Sequence, residues 1–282
     1  MRLSTVRIAG RTTWGVIEGE TLRDTGAAMA GRYADLKAAV TAGFDGVAEA
    51  AEKAAAFPLS EIEWLPVIPN PDKILCVGLN YEMHRKETGR AEVENPTIFA
   101  RYSNSQTGHL KPIIRPKVST ELDYEGELAV IIGKPGRYIS RADALGHVAG
   151  FACYNDGSVR DYQRHTHQFT PGKNFPDTGA FGPWMMTPDE LGPLDDLRIQ
   201  TRLNGAVVQD ATFAQMIFDI ARQIEYCSSF TRLEAGDVIA SGTPGGVGAK
   251  RNPPLWMKPA DIVEVEIDRL GILRNPIVNE QG

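Results

Sequence analysis

The chain has 282 residues, 42% hydrophobic, 8% aromatic and 23% charged, a composition that argues against a disordered, collagen-like or coiled-coil chain. Its 30 Lys and Arg against 36 Asp and Glu leave a net charge of −6. No basic footprint exists to compensate a phosphate backbone, so nucleic acid is not an expected partner.

The N-terminus carries arginines at positions 2, 7 and 11 and no apolar core of signal-peptide length. Residues 1–30 read as short strands joined by tight turns at Gly10-Arg11 and Glu18-Gly-Glu. Residues 33–56 are alanine-rich and helical, interrupted near Gly43 and Gly46. Pro58, Pro66, Pro69 and Pro71 then punctuate the chain, and a domain boundary is expected near residue 70. That division gives a small N-terminal α/β domain over 1–70 and a larger domain over 71–282.

Beyond the boundary, short runs rich in β-branched residues predict strands at 73–78, 127–133, 146–154, 198–204, 237–242 and 261–268. Helical spacing is confined to 81–88, 142–145 and 213–229. Strands and helices do not alternate steadily, which disfavours a doubly wound parallel sheet and favours a β-dominated α+β fold. The strongest apolar run, 128–132, is far shorter than the ~20 residues of a spanning helix. No membrane partner and a cytoplasmic location are therefore expected. Cys76, Cys153 and Cys227 lie far apart, an odd and sparse count that suits a reducing compartment and reads as three small buried apolar residues.

Several constellations carry chemistry. Asp123-Tyr-Glu125-Gly-Glu127 runs into an apolar strand, where residues two apart share a face, so Glu125 and Glu127 can aim two carboxylates at one point. Two like charges held together require a cation or a proton. Asp156, at the expected end of the next strand, adds a third carboxylate, although Asn155-Asp156-Gly157 is also a strong turn signal. Oxygen ligands without sulfur suit magnesium, manganese or calcium better than zinc or copper. His84 and Glu87, three apart on a helix, form a dyad in which the carboxylate holds the imidazole in one tautomer, a sensible general base. Lys173, in a Gly- and Pro-rich loop, is placed to stabilise an oxyanion. The run Ser241-Gly-Thr243-Pro-Gly-Gly-Val-Gly248 lacks the Gly-Lys-Ser/Thr ending of a phosphate loop and is read instead as a tight turn offering N–H groups and the Thr243 hydroxyl to a carboxylate. His165-x-His167, the rival zinc pair, has no further ligand beside it at metal spacing.

The order of these motifs resembles the fumarylacetoacetate hydrolase family: Asn80-Tyr81 with His84 and Glu87, Glu125-x-Glu127, Asn155-Asp156 with Arg160 and Gln163, Gly172-Lys173-x-Phe175, and Gly242-Thr243-Pro244. Leu203-Asn204-Gly205, Met216-Ile217-Phe218 and Leu273-Arg274-Asn275-Pro276 extend the resemblance over residues 70–278. One departure is Pro176, which separates Phe175 from Asp177. The resemblance implies a mixed β-roll or sandwich with flanking helices, commonly a homodimer, and lies toward acylpyruvate and diketo-acid hydrolases of aromatic-compound catabolism. It further implies that Glu125, Glu127 and Asp156 bind a divalent cation, usually Mg2+ with Mn2+ or Ca2+ as alternatives. His84 and Glu87 would activate water, Lys173 would stabilise negative charge, and Arg160, Gln163 and Thr243 would contact a small anionic keto acid. The leading expectation is hydrolysis of a C–C bond in a 2,4-diketo acid or acylpyruvate. Decarboxylation or isomerisation of a keto diacid at the same site, and a non-catalytic keto-acid-binding protein, are the alternatives.

Overall fold

The computed structural model describes residues 1–281. Its centre is the strand Gly126–Ile132, in which every residue is buried. Leu128, Val130 and Ile132 enter one core with Ile199, Val263 and Val265, while Ala129 and Ile131 enter another with Trp14, Leu36 and Val40. Burial on both faces explains why this strand reads as a continuous apolar run instead of an alternating one.

Around it a mixed twelve-stranded sheet is built in the order Ala56–Pro58, Thr21–Arg23, Arg11–Glu18, Arg2–Ile8, Gly179–Met186, Val148–Asn155, Gly126–Ile132, Val238–Ala240, Ile74–Gly78 and Thr97–Arg101, with two short strands off this path. A second sheet of five strands, Ala206–Thr212, Arg198–Leu203, Ile262–Ile267, Gly271–Asn279 and Ile113–Arg115, packs against one face of the first. Its strand Ile262–Ile267 alternates half-buried and buried residues, as a one-sided strand must. The molecule is thus a β-dominated α+β sandwich with flanking helices. The sheet continues across residue 70, because Arg2 and Leu3 pair with Met186 and Met185.

The alanine-rich helical stretch breaks where expected, whereas two other helical stretches differ from the expectation. The alanine-rich stretch divides into Leu36–Thr41 and Val47–Lys53, with Gly43 and Gly46 at positive φ between them. The stretch expected over 213–229 also divides, into a 3-10 turn at Phe213–Gln215 and the helix Ile220–Phe230. Asn80 marks that break: its side chain accepts from Phe218 N (2.8 Å) and donates to Phe218 O (3.0 Å), holding 216–219 out of the helix until Asp219 caps it. The stretch over 142–145 is a 3-10 turn, Ala144–His147. Lys173, expected in a Gly- and Pro-rich loop, ends the short helix Thr170–Lys173, and the later Gly179–Met186 is a strand with a register irregularity opposite Phe151–Cys153. All three cysteines are free and buried.

Candidate functional site

The register of the central pair assembles the acidic group. Gly126 pairs with Asn155 and Glu127 with Tyr154, which brings the end of one strand beside the end of the other. Asp156 N–H donates to Glu125 O (2.8 Å) and the Glu125 N–H to Asn155 Oδ1 (3.0 Å), fixing the two ends together. Gly126 is required there because a Cβ would lie 2.1 Å from Thr201 Oγ1 on the second sheet. Carboxylate oxygens of Glu125, Glu127 and Asp156, all buried, consequently lie within 4.8 Å of one another.

Three buried cations surround this trio. Lys173 Nζ lies 2.6 Å from both Glu125 Oε2 and Asp156 Oδ2, with the Phe99 ring beneath it. Arg101 binds Asp156 from behind, and Arg160 reaches Glu125 Oε1 at 2.7 Å. Burial opposes the charge of Glu125, but Arg160, Lys173 and His84 outweigh it and hold the carboxyl below its ordinary range. Glu127 is treated oppositely. Its one hydrogen bond among the described residues comes from Gly242 N (2.9 Å). Burial, then Asp156 and Glu125, push its carboxyl well above the ordinary range. With every carboxyl ionised, Asp123, Glu125, Glu127 and Asp156 against three cations would leave one uncompensated negative charge. A hard divalent ion fits this all-oxygen donor set and would relieve Glu127.

The dyad stands on the helix Glu82–Thr88. His84 Nδ1 is 2.7 Å from Glu87 Oε1, and His84 is 5% exposed. Glu87 Oε2 in turn accepts from Gly246 N (2.9 Å). The glycine-rich run after Val238–Ala240 does offer its N–H groups to carboxylates, and the structure identifies them as the chain's own: Gly242 to Glu127, Gly246 to Glu87, and Gly248 and Ala249 to Asp123. The Thr243 hydroxyl donates to Gly126 O (2.9 Å) and accepts from Gln209 Nε2 (2.7 Å). Gln163 Oε1 accepts from Arg160 Nη1 (2.9 Å).

His84, Glu125, Glu127, Arg160, Gln163, Lys173 and Thr243 all line one cavity of about 460 Å3. Val77, Phe99, Phe169 and Val247 form its apolar wall, while Arg90, Arg164, Lys250, His165 and His167 stand at its lining as further basic groups. Asp156 and Glu87 act from behind that lining. The sequence reading did not single out Arg101, Arg90, Arg164 or Lys250. Arg101 ends the strand Thr97–Arg101, whose β-branched and aromatic start was a usable signal; the other three are arginines and a lysine with no local pattern to distinguish them. Asp177 lies away from this cavity, beside Pro112, Pro116 and Phe175.

A family model described as fumarylacetoacetate (FAA) hydrolase C-terminal matches residues 73–278. The oxaloacetate tautomerase FAHD2A, mitochondrial, of Bos taurus is 41% identical over 223 residues, covering 78% of this chain and 71% of that protein. The fumarylacetoacetate hydrolase EaFAH of Exiguobacterium antarcticum superposes with a TM-score of 0.88 at 32% identity, over 99% of this chain and all of that one. Maleylpyruvate hydrolase from Sphingobium sp. SYK-6, solved with manganese(II) and pyruvate, superposes with a TM-score of 0.83 at 27% identity over the full length of both chains.

Proposed function

This chain belongs to the fumarylacetoacetate hydrolase family, and from that membership we propose a divalent-metal-dependent enzyme that enolises a 2-keto acid carrying a second carboxylate, interconverting its keto and enol forms. One observation carries this reading: Glu125, Glu127 and His84, backed by Asp156 and Glu87, line a cavity whose other charged side chains, Arg90, Arg160, Arg164, Lys173 and Lys250, are all cationic. Names of relatives agree with it, since oxaloacetate is such a keto diacid.

Glu125, Glu127 and Asp156 would hold the ion, which when bound supplies positive charge and a template for the 2-keto and carboxylate oxygens of the substrate. Arg160 spends one N–H of each terminal nitrogen on Gln163 and Glu125 and keeps one of each for a substrate oxygen. Arg90, Arg164 and Lys250 are the groups for the distal carboxylate. A carboxylate only accepts, so Glu87 keeps the proton on Nδ1 of His84 and leaves Nε2 with its lone pair. His84 Nε2 takes the proton from substrate C3 and returns it to the oxygen on C2. Nothing is consumed and no co-reactant is needed. Lys173, already bonded to two carboxylates, compensates the charge of the site more than it reaches toward substrate.

Hydrolysis of a C–C bond in a 2,4-diketo acid or acylpyruvate is the second reading, favoured by the apolar wall of Val77, Phe99, Phe169 and Val247, which offers a seat for an acyl group. There Nε2 would take its proton from water. Ultraviolet absorbance separates the two. With Mn2+ or Mg2+ present, the protein should accelerate decay of the oxaloacetate enol, and EDTA should abolish the effect. Cleavage of acetylpyruvate without any effect on the oxaloacetate enol would replace the first reading with the second. Inertness toward both would remove both.

A further inference from the structure

Asp123 ends the short strand Leu122–Asp123, is fully buried, and does not line the cavity. Four donors nevertheless converge on it. Arg160 Nε (2.8 Å) and Ala249 N (2.9 Å) reach Oδ2, while Gly248 N (2.8 Å) and Tyr124 N (2.9 Å) reach Oδ1. As a result the three nitrogens of Arg160 go to three different residues: Nε to Asp123, Nη1 to Gln163 and Nη2 to Glu125.

That division runs against the intrinsic preference of the pair. A guanidinium beside a carboxylate favours a two-pronged contact with both oxygens. Glu125 is the other carboxylate bonded to Arg160, and one of its oxygens is already on Lys173. Were Arg160 free to turn, it would close on Glu125 and occupy the lone pairs that a divalent ion needs.

We infer that Asp123 is a positioning residue that keeps Arg160 turned away from a two-pronged closure on Glu125, so that Glu125 stays available as a ligand while Arg160 keeps N–H groups for substrate. The inference rests on the metal-dependent reading above and explains why a fourth buried carboxylate sits beside the trio. The two amides of the turn Gly248–Lys250 also hold the Asp123 carboxylate, and Lys250 of that turn lines the cavity.

Electron paramagnetic resonance of free Mn2+ tests this without turnover. Asp123→Asn keeps the size of the side chain and an acceptor for Gly248 and Tyr124. It should weaken Mn2+ binding by about ten-fold or more, in the range of losses caused by removing partners of metal ligands. Arg160→Met in the Asp123→Asn background should restore the affinity to that of Arg160→Met alone, because no guanidinium remains to close on Glu125. At Mn2+ concentrations that saturate the variant, the kcat of Asp123→Asn should return to within a few-fold of the wild type. Unchanged affinity in Asp123→Asn overturns the inference, and so does a loss that Arg160→Met does not restore, since that marks a general collapse of the site. A wild-type protein that binds no Mn2+ overturns the metal-dependent reading itself and this inference with it.

Discussion

Glu127 and His84 are the two side chains on which the site's chemistry turns, and each has a distinct signature. Glu127 is a buried carboxylate whose hydrogen bonding among the described residues is limited to one backbone N–H, in the company of two other acids. A group so placed costs stability when charged. Glu127→Gln should therefore raise the melting temperature of the metal-free protein while abolishing Mn2+ binding and metal-dependent turnover; calorimetry and a turnover assay report both. Turnover that survives at saturating Mn2+ would strike Glu127 from the ligand set. His84, by contrast, is set by Glu87 and belongs to the helix. His84→Ala should leave Mn2+ affinity within a few-fold of the wild type and lower kcat by ~10² or more, as for a positioned base.

Among elements, the run 241–249 joins the parts of the site that the sheets do not. Its N–H groups grip Glu127, Glu87 and Asp123, residues that lie on three separate segments. Gly246 shows how narrow the tolerance is. Its φ is +101°, a Cβ would lie 2.3 Å from Val208 O, and its own carbonyl accepts from the Tyr124 hydroxyl at 3.1 Å. Gly246→Ala must move this backbone and with it the N–H on Glu87, at a stability cost of about 1–3 kcal/mol. Turnover should fall more than Mn2+ affinity, because the dyad is disturbed before the trio. Equal loss of both would mean that the run is a single rigid unit.

At the scale of the whole molecule, His109 links the N-terminal portion to the last strand. Its ring meets Trp64 edge-on at 5.3 Å, and its Nδ1 accepts from Arg274 N at 3.1 Å. Burial, then the Arg274 charge, push its pKa down from 6.5 to about 4. The sign follows from linkage. Between those values the unfolded chain binds a proton that the folded one does not, so this contribution is complete above about pH 6.5, is lost as pH falls toward 4, and changes no further below it. The loss should be on the order of 1–3 kcal/mol. Urea unfolding at pH 7 and pH 5 measures it, and His109→Gln should flatten the difference. An unaltered pH dependence in that variant would assign the effect to other groups.

What the sequence by itself determined is what depends on near neighbours. The strand that carries Glu127 and starts just after Glu125, the three-residue spacing of His84 and Glu87, the break at Gly43 and Gly46, and the β-dominated α+β class all follow from periodicity and local backbone preference. Tertiary structure alone decided which charges meet. Asp123 and Gly248 are 125 residues apart, Glu127 and Gly242 are 115 apart, and Arg101 and Asp156 are 55 apart. Nothing in the local pattern of Lys173 shows that its ammonium would be held between two acids. Nor does the run 241–248 reveal that the carboxylates it grips are the protein's own. A carboxylate's partner is set by strand register and by the competition among charges buried together, and both exist only once distant strands have paired.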